Sequence, residues 1–367
     1  MGVRPLVIGG AGFVGSNLVS NLLTAGQNVT VLDALVRPGT AHNLTWLQSH
    51  PQNHRLRVIQ ADVRDFAAVQ VAVRDAEVIY HLAGQVAVTA SVSDPRLDFD
   101  NNALGTLNVL EAARLAGHRP VIVFTSTNKV YGGLEQVAVV EEQHRYRFAH
   151  CPDGISEDQP LDFHSPYGCS KGAADQYVRD YARIYGLPTV VFRMSCIYGP
   201  RQFGTEDQGW VAHFIIAALT GSPITIYGDG KQVRDVLFVD DLVRAFRLAA
   251  DNIDTVAGEV FNIGGGPSNT LSVWSEFGDL LQRLTNRAIP VQFDGWRPGD
   301  QPCYVSNIDK ARARLGWSPL VDMETGIRRL VDWVRANPEL FRQNAQLHSP
   351  AGPGRTDQPK AYARRSL

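Results

Sequence analysis

An α/β fold built on a doubly wound parallel sheet, with a smaller C-terminal lobe, is predicted by three features of the 367-residue sequence. Short apolar runs alternate with helical stretches from Val3 to Ser126, a glycine triplet follows the first run, and the rhythm loosens after about Ser195. The runs at 6–8, 29–32, 58–59, 78–80 and 121–124 read as strands covered by helices on both faces, which is how a parallel sheet is buried. Helical patterning spans 13–25, 66–73, 103–116 and 165–185. Gly26, Gly117 and Gly186 are placed as helix stops.

Beyond Ser195, the stretches 225–227, 239–250, 271–284 and 309–315 read as short strands and helices of a lobe that returns intermittently to the sheet. The expected division is 1–194 for the sheet domain, 195–345 mainly for the second lobe, and 346–367 for a loose tail. Residues 133–160 are polar, rich in Glu, His and Pro, and without periodicity, so they are expected to form a long surface excursion near the site.

Composition bounds the function. With 44% hydrophobic residues and a net charge of -2, the chain has a real core and no long-range field to draw in nucleic acid or an anionic membrane. An anionic ligand must then be held by locally placed donors. Cys151, Cys169, Cys196 and Cys303 lack metal-ligand spacing, and a chain this large needs no disulfide staples, so no metal is expected and reduced thiols in a cytoplasm are. Neither a leader segment nor a membrane span is read from the sequence.

The opening VRPLVIGGAGFVGSNL sets Gly9, Gly12 and Gly15 at a strand-to-helix turn. There glycine permits a tight turn, close approach of backbone to a pyrophosphate, and tight helix packing, so a Rossmann-type dinucleotide site is expected with Phe13 and Val14 in its helix N-terminus. Asp33 ends the second strand, where a carboxylate accepts from an adenosine ribose and repels a 2'-phosphate. NAD is favoured over NADP, with nearby Arg37 softening that preference. Asp62, followed by Val63 in QADVRD, either meets the adenine or sits in a solvated turn. HLAG closes the fourth strand and brings the backbone of Leu82 and Ala83 against the cofactor, with His81 packed rather than reactive.

FTSTNKVYG ends the fifth strand, and SPYGCSK follows with Tyr167 and Lys171 one helical turn apart. A free tyrosine titrates near ~10 and is a poor base at neutral pH, so a cation must stabilise its phenolate. Lys171 supplies one; Tyr167 then takes a hydroxyl proton while hydride leaves the same carbon, and Thr127 orients the oxygen. Standing alone, the Tyr–Lys spacing would be an ordinary helix pair; the glycine loop and strand end give it chemical meaning.

Together GGAGFVG, Asp33, HLAG, TSTNKVYG and the Tyr167–Lys171 pair resemble the extended short-chain dehydrogenase/reductase family to about residue 340. Within it, TSTNKVYG, LDFHSPYGCSKGAADQYVRDYARIYGL, FGTEDQGW and GDGKQVRDVLFVDD are similar to the CDP-paratose 2-epimerases, also called CDP-tyvelose epimerases. The resemblance implies Thr127, Tyr167 and Lys171 as the catalytic trio, Gln85 and Asn102 near the nicotinamide, and Arg201, Arg234 and Arg297 toward a substrate diphosphate. It also implies a homodimer or homotetramer, paired through helices 103–116 and 165–185. The cytosine base and reaction at C2 are likewise implied by resemblance alone.

Chemistry narrows the reaction. Relatives that eliminate water need a carboxylic acid and a carboxylate directly after the strand-end Thr; here those positions hold Asn128 and Lys129. An epimerase that oxidises its sugar and returns the hydride to the other face needs only one acid/base. Asn128, Gln85 and Thr127 are counted on the substrate side, with Ser195 and Arg201 from VFRMSCIYGPRQ, Arg234 from DGKQVRDV, and Arg297 and Asp300 from RPGDQ. Arginine suits a phosphate through its forked donors. The alternatives are a UDP-hexose 4-epimerase and a redox-inert NAD-binding regulatory module.

Overall fold

Seven parallel strands form the central sheet of the computed structural model, which describes residues 4–297 and 299–341. They are β1 (Pro5–Ile8), β2 (Val29–Asp33), β3 (Leu56–Gln60), β4 (Val78–His81), β5 (Val121–Thr127), β6 (Thr189–Met194) and β7 (Val260–Ile263). Their spatial order is β7-β6-β5-β4-β1-β2-β3. Every residue of β1, β4 and β7 is buried, as strands covered on both faces require.

The order reverses between β1 and β4, whose registers run Pro5 to Val78 and Ile8 to His81. At such a switch point the connections leave in opposite directions and open a crevice at the carboxyl ends of the strands. The helix α1 (Phe13–Thr24) rises from that edge of β1, and the helix Ser165–Tyr185 packs beside β5 and β6. Gly26, Gly117 and Gly186 all take left-handed φ at helix ends, as the sequence anticipates.

The boundary at 194/195 is not a spatial cut. β7 comes from the second half yet pairs with β6, and the helix Val239–Asp251 packs its apolar face, with Leu242, Phe246 and Ala249, into the core shared with Val7, Val31 and Phe192. The second lobe has its own core, where Phe214, Phe238, Phe277 and Ile327 meet. Its strand Val233–Phe238 pairs with Cys196–Tyr198, Thr270–Ser272 and Cys303–Tyr304. The expected tail at 346–367 lies outside the described residues.

Residues 133–160 correct the surface-excursion expectation. They contain a hairpin, Val139–Glu141 with Tyr146–Phe148, and bury Leu134, Phe148 and Ile155 against Tyr131, Val233 and Tyr304. Three-residue strands are too short for their alternation to rise above the polar background.

Candidate active site

Between the two lobes lies a cavity of about 1340 Å³ that runs from Phe13 and Val14, past Thr127, Tyr167 and Lys171, to Arg234 and Arg297. At its cofactor end the glycines are dictated by contact. A Cβ on Gly15 would stand 2.1 Å from the Gly9 carbonyl oxygen, so α1 seats directly on the loop. Gly9 has φ +84°, and a Cβ there would meet the Ala83 nitrogen at 2.7 Å, which brings Leu82 and Ala83 against the loop. Gly12 caps α1 without a side-chain bond, so the first-turn amides and the positive end of the helix dipole face the cavity that Phe13 and Val14 line. That is a cradle for a phosphate-bearing group.

Asp33 is buried at the end of β2 and braces the cradle. Its Oδ2 accepts from the Ala11 amide at 2.9 Å and its Oδ1 from the Leu35 amide at 2.8 Å, leaving lone pairs for a ligand hydroxyl. Asp62 sits in the turn after β3. Arg64 grips it through Nε at 2.9 Å and Nη2 at 2.7 Å, and these bonds hold its carboxyl below the usual range. Val63 packs against Gly105, and its carbonyl accepts from Asn108.

Thr127 ends β5, and its Oγ1 accepts from the Lys129 amide at 3.2 Å. Tyr167 and Lys171 come from the helix Ser165–Tyr185 and are both buried. Lys171 Nζ donates to the Thr125 carbonyl at 2.5 Å and lies 4.3 Å from the centre of the Phe124 ring. Burial pushes the Lys171 ammonium down to about 7, against the pull of Asp175 and Asp98. Burial also raises the Tyr167 phenol, while its hydrogen bond with Thr127 and the Arg37 charge act to lower it. Burial therefore favours the neutral phenol of Tyr167, and a nearby cation is what would favour the phenolate.

Asn102 is central to the wall behind Lys171. It lies in a π-helical turn, Asp100–Leu104, a geometry frequent at functional sites. Its Oδ1 accepts from the Gln85 amide at 2.9 Å, and its Nδ2 donates to Asp98 at 3.1 Å and Ser170 at 3.0 Å. The Gln85 side chain folds back on Ala87 instead of lining the cavity. His81 is packed, as read: Nε2 pairs with Thr106 at 3.0 Å, and burial pushes the ring down to about 3.

At the substrate end, Arg234 donates to Asp300 at 2.6 Å, and Ser195 Oγ donates to Asp235 at 2.5 Å. Arg297 stacks 3.9 Å over the Tyr227 ring and pairs with Glu206 and Asp207 at 3.8 and 3.7 Å. Asn128, buried beside Thr127, lines the same space. Arg201 does not. Asn43 and Asn17 hold the carbonyls of Arg201 and Pro200, the Arg201 backbone turns to φ 72°, and its guanidinium lies 3.9 Å over Trp46 and 5.6 Å from Trp333.

Sequence reasoning missed Asp98 and Ser170, which face each other only because two helices cross, and the Glu206–Asp207 pair that meets Arg297. Lys129, which in the sequence speaks only against elimination, stands on the cavity wall.

This fold and site define a family. Residues 6–330 match the family model described as GDP-mannose 4,6 dehydratase, and the chain belongs to that family. It is 43% identical over 345 residues, 90% of this chain and 99% of the relative, to a CDP-paratose 2-epimerase of Salmonella typhi. Among solved structures it is similar to a UDP-glucose 4-epimerase with UDP-glucose from Thermotoga maritima, at TM-score 0.78 and 32% identity over 92% of this chain and 100% of that one. A UDP-glucuronic acid 4-epimerase from Bacillus cereus, in complex with UDP-glucuronic acid and NAD, matches at TM-score 0.77 and 28% identity over 91% of this chain and 99% of that one.

Proposed function

We propose that this protein is an NAD-dependent nucleotide-sugar epimerase that inverts C2 of a CDP-linked hexose of the CDP-paratose or CDP-glucose type. The observation that carries the reading is the meeting of Thr127, Tyr167 and Lys171 on one cavity wall, followed directly by Asn128 and Lys129 and by no carboxylate. That wall can exchange one proton with a sugar hydroxyl but has no acid and base pair for eliminating water. The CDP base and the C2 position rest on the 43% identity to the CDP-paratose 2-epimerase.

The α1 N-terminus holds the NAD pyrophosphate, Asp33 its adenosine ribose, and the Ala83–Gly84 backbone with Lys171 its nicotinamide end. When bound, NAD supplies the hydride acceptor that later returns the same hydride to the sugar. Tyr167 takes the hydroxyl proton as the alcohol becomes a ketone, with Lys171 holding the phenolate and Thr127 orienting the oxygen. The ketone then presents its opposite face, and Tyr167 gives the proton back. Arg234 and Arg297 grip the diphosphate through the turn.

The protein acts as a homodimer or homotetramer in the cytoplasm. The exposed Leu104, Leu115, Tyr177, Ile184 and Tyr185 on the helices Gly105–Leu115 and Ser165–Tyr185 and the turn before the first supply an apolar face for a second copy. Among the described residues, no helix is long and apolar enough to cross a membrane. The test is proton NMR of the purified protein with CDP-glucose and with UDP-glucose, no cofactor added. A manno product from the CDP sugar supports the reading; a galacto product from UDP-glucose instead makes it a UDP-hexose 4-epimerase.

A further inference from the structure

We infer that the Lys129 ammonium grips the phosphate attached directly to the sugar, and so registers C2 against Tyr167. The inference rests on the nucleotide-sugar reading above. Lys129 lies in the short turn Asn128–Tyr131, two residues beyond Thr127, and lines the cavity. Among the described residues its side chain has no hydrogen-bond or ion-pair partner, although burial and the neighbouring Arg234 both disfavour its charge.

The local charge balance is positive. Asp300 is the carboxylate that attracts Lys129, and its Oδ1 is already bonded to Arg234 at 2.6 Å. Burial alone would raise the Asp300 carboxyl, yet Arg234 and then Lys129 hold it below the usual range. Two cations therefore share one carboxylate at the cavity wall, and the surplus charge calls for an anionic ligand oxygen rather than a neutral hydroxyl.

Position identifies which anion. In a nucleotide sugar the phosphate is borne on C1, vicinal to C2 and across the ring from C4. A phosphate grip two residues from the oxygen-orienting Thr127 suits reaction at the carbon next to C1. Reaction at C4 would carry the phosphate to the far side of the ring from Thr127. Arg297, at the Tyr227 and Glu206 side, is left for the phosphate nearer the nucleoside.

Calorimetric titration of the cofactor-loaded protein with CMP and with CDP separates the two phosphates. Lys129→Met is expected to weaken CDP about ten-fold or more while leaving CMP unchanged, since a charge-assisted bond to the second phosphate is lost. Lys129→Arg should recover most of the CDP affinity. Equal weakening of CMP and CDP, or no weakening of either, overturns the inference. If wild-type protein converts UDP-sugars instead, the CDP reading fails and the same comparison, run with UMP and UDP, still decides the role of Lys129.

Discussion

Ser170 donates a 2.5 Å hydrogen bond to the Asp98 carboxylate from a position between Tyr167 and Lys171 on one helix. Asn102 bonds the same Ser170 oxygen and the other Asp98 oxygen, so three buried polar groups tie the helix Ser165–Tyr185 to the segment after β4. Ser170→Ala removes one donor and leaves the Asp98 carboxylate short of a partner. A stability loss of about 1–3 kcal/mol is expected, read by chemical denaturation. An unchanged midpoint would show the network to be dispensable.

Tyr167→Phe keeps the shape of the buried ring and removes the oxygen proposed to carry the proton. Cofactor copurifying with the protein should be retained, while kcat falls ~100-fold or more. Steady-state assay of the variant beside its bound-cofactor absorbance checks both halves, and retained turnover would move the proton transfer elsewhere.

Lys171 carries a pH signature in the cofactor-stripped protein. Its folded ammonium titrates at about 7, below the ordinary lysine range, so between those limits the unfolded chain binds more protons. The Lys171 contribution to stability should therefore rise as pH goes from about 7 toward 10. Lys171→Met should flatten that rise in thermal midpoints measured across the window; a parallel slope would contradict the buried ammonium, whose hydrogen bond goes to the neutral Thr125 carbonyl.

Arg201 and Arg234 part company. Arg201→Ala removes a guanidinium stacked between the helices Thr40–Gln48 and Met323–Ala336 and should lower the thermal midpoint with little change in substrate KM. Arg234→Ala should raise KM, because its donors face the cavity beside Asp300. Melting curves paired with initial rates separate the two effects.

Much of this site is legible in the sequence because its parts are local. GGAGFVG, Asp33, Thr127 and the Tyr167–Lys171 pair each declare themselves within a few residues, and the structure brings them together because β2, β1, β4 and β5 end side by side. The rest depends on distant pieces of chain. Asp98 meets Ser170 across 72 residues, and Arg297 meets Glu206 across 91. The family resemblance points Arg201 toward the diphosphate; its own backbone turn at φ 72° and two indoles send it away.

Hydride return within one bound sugar can be followed by proton NMR of CDP-glucose turnover in heavy water, without added cofactor. The expected product is a manno-configured CDP-sugar that keeps protium at C2. Deuterium at C2 would mean proton abstraction from carbon, and would contradict hydride return.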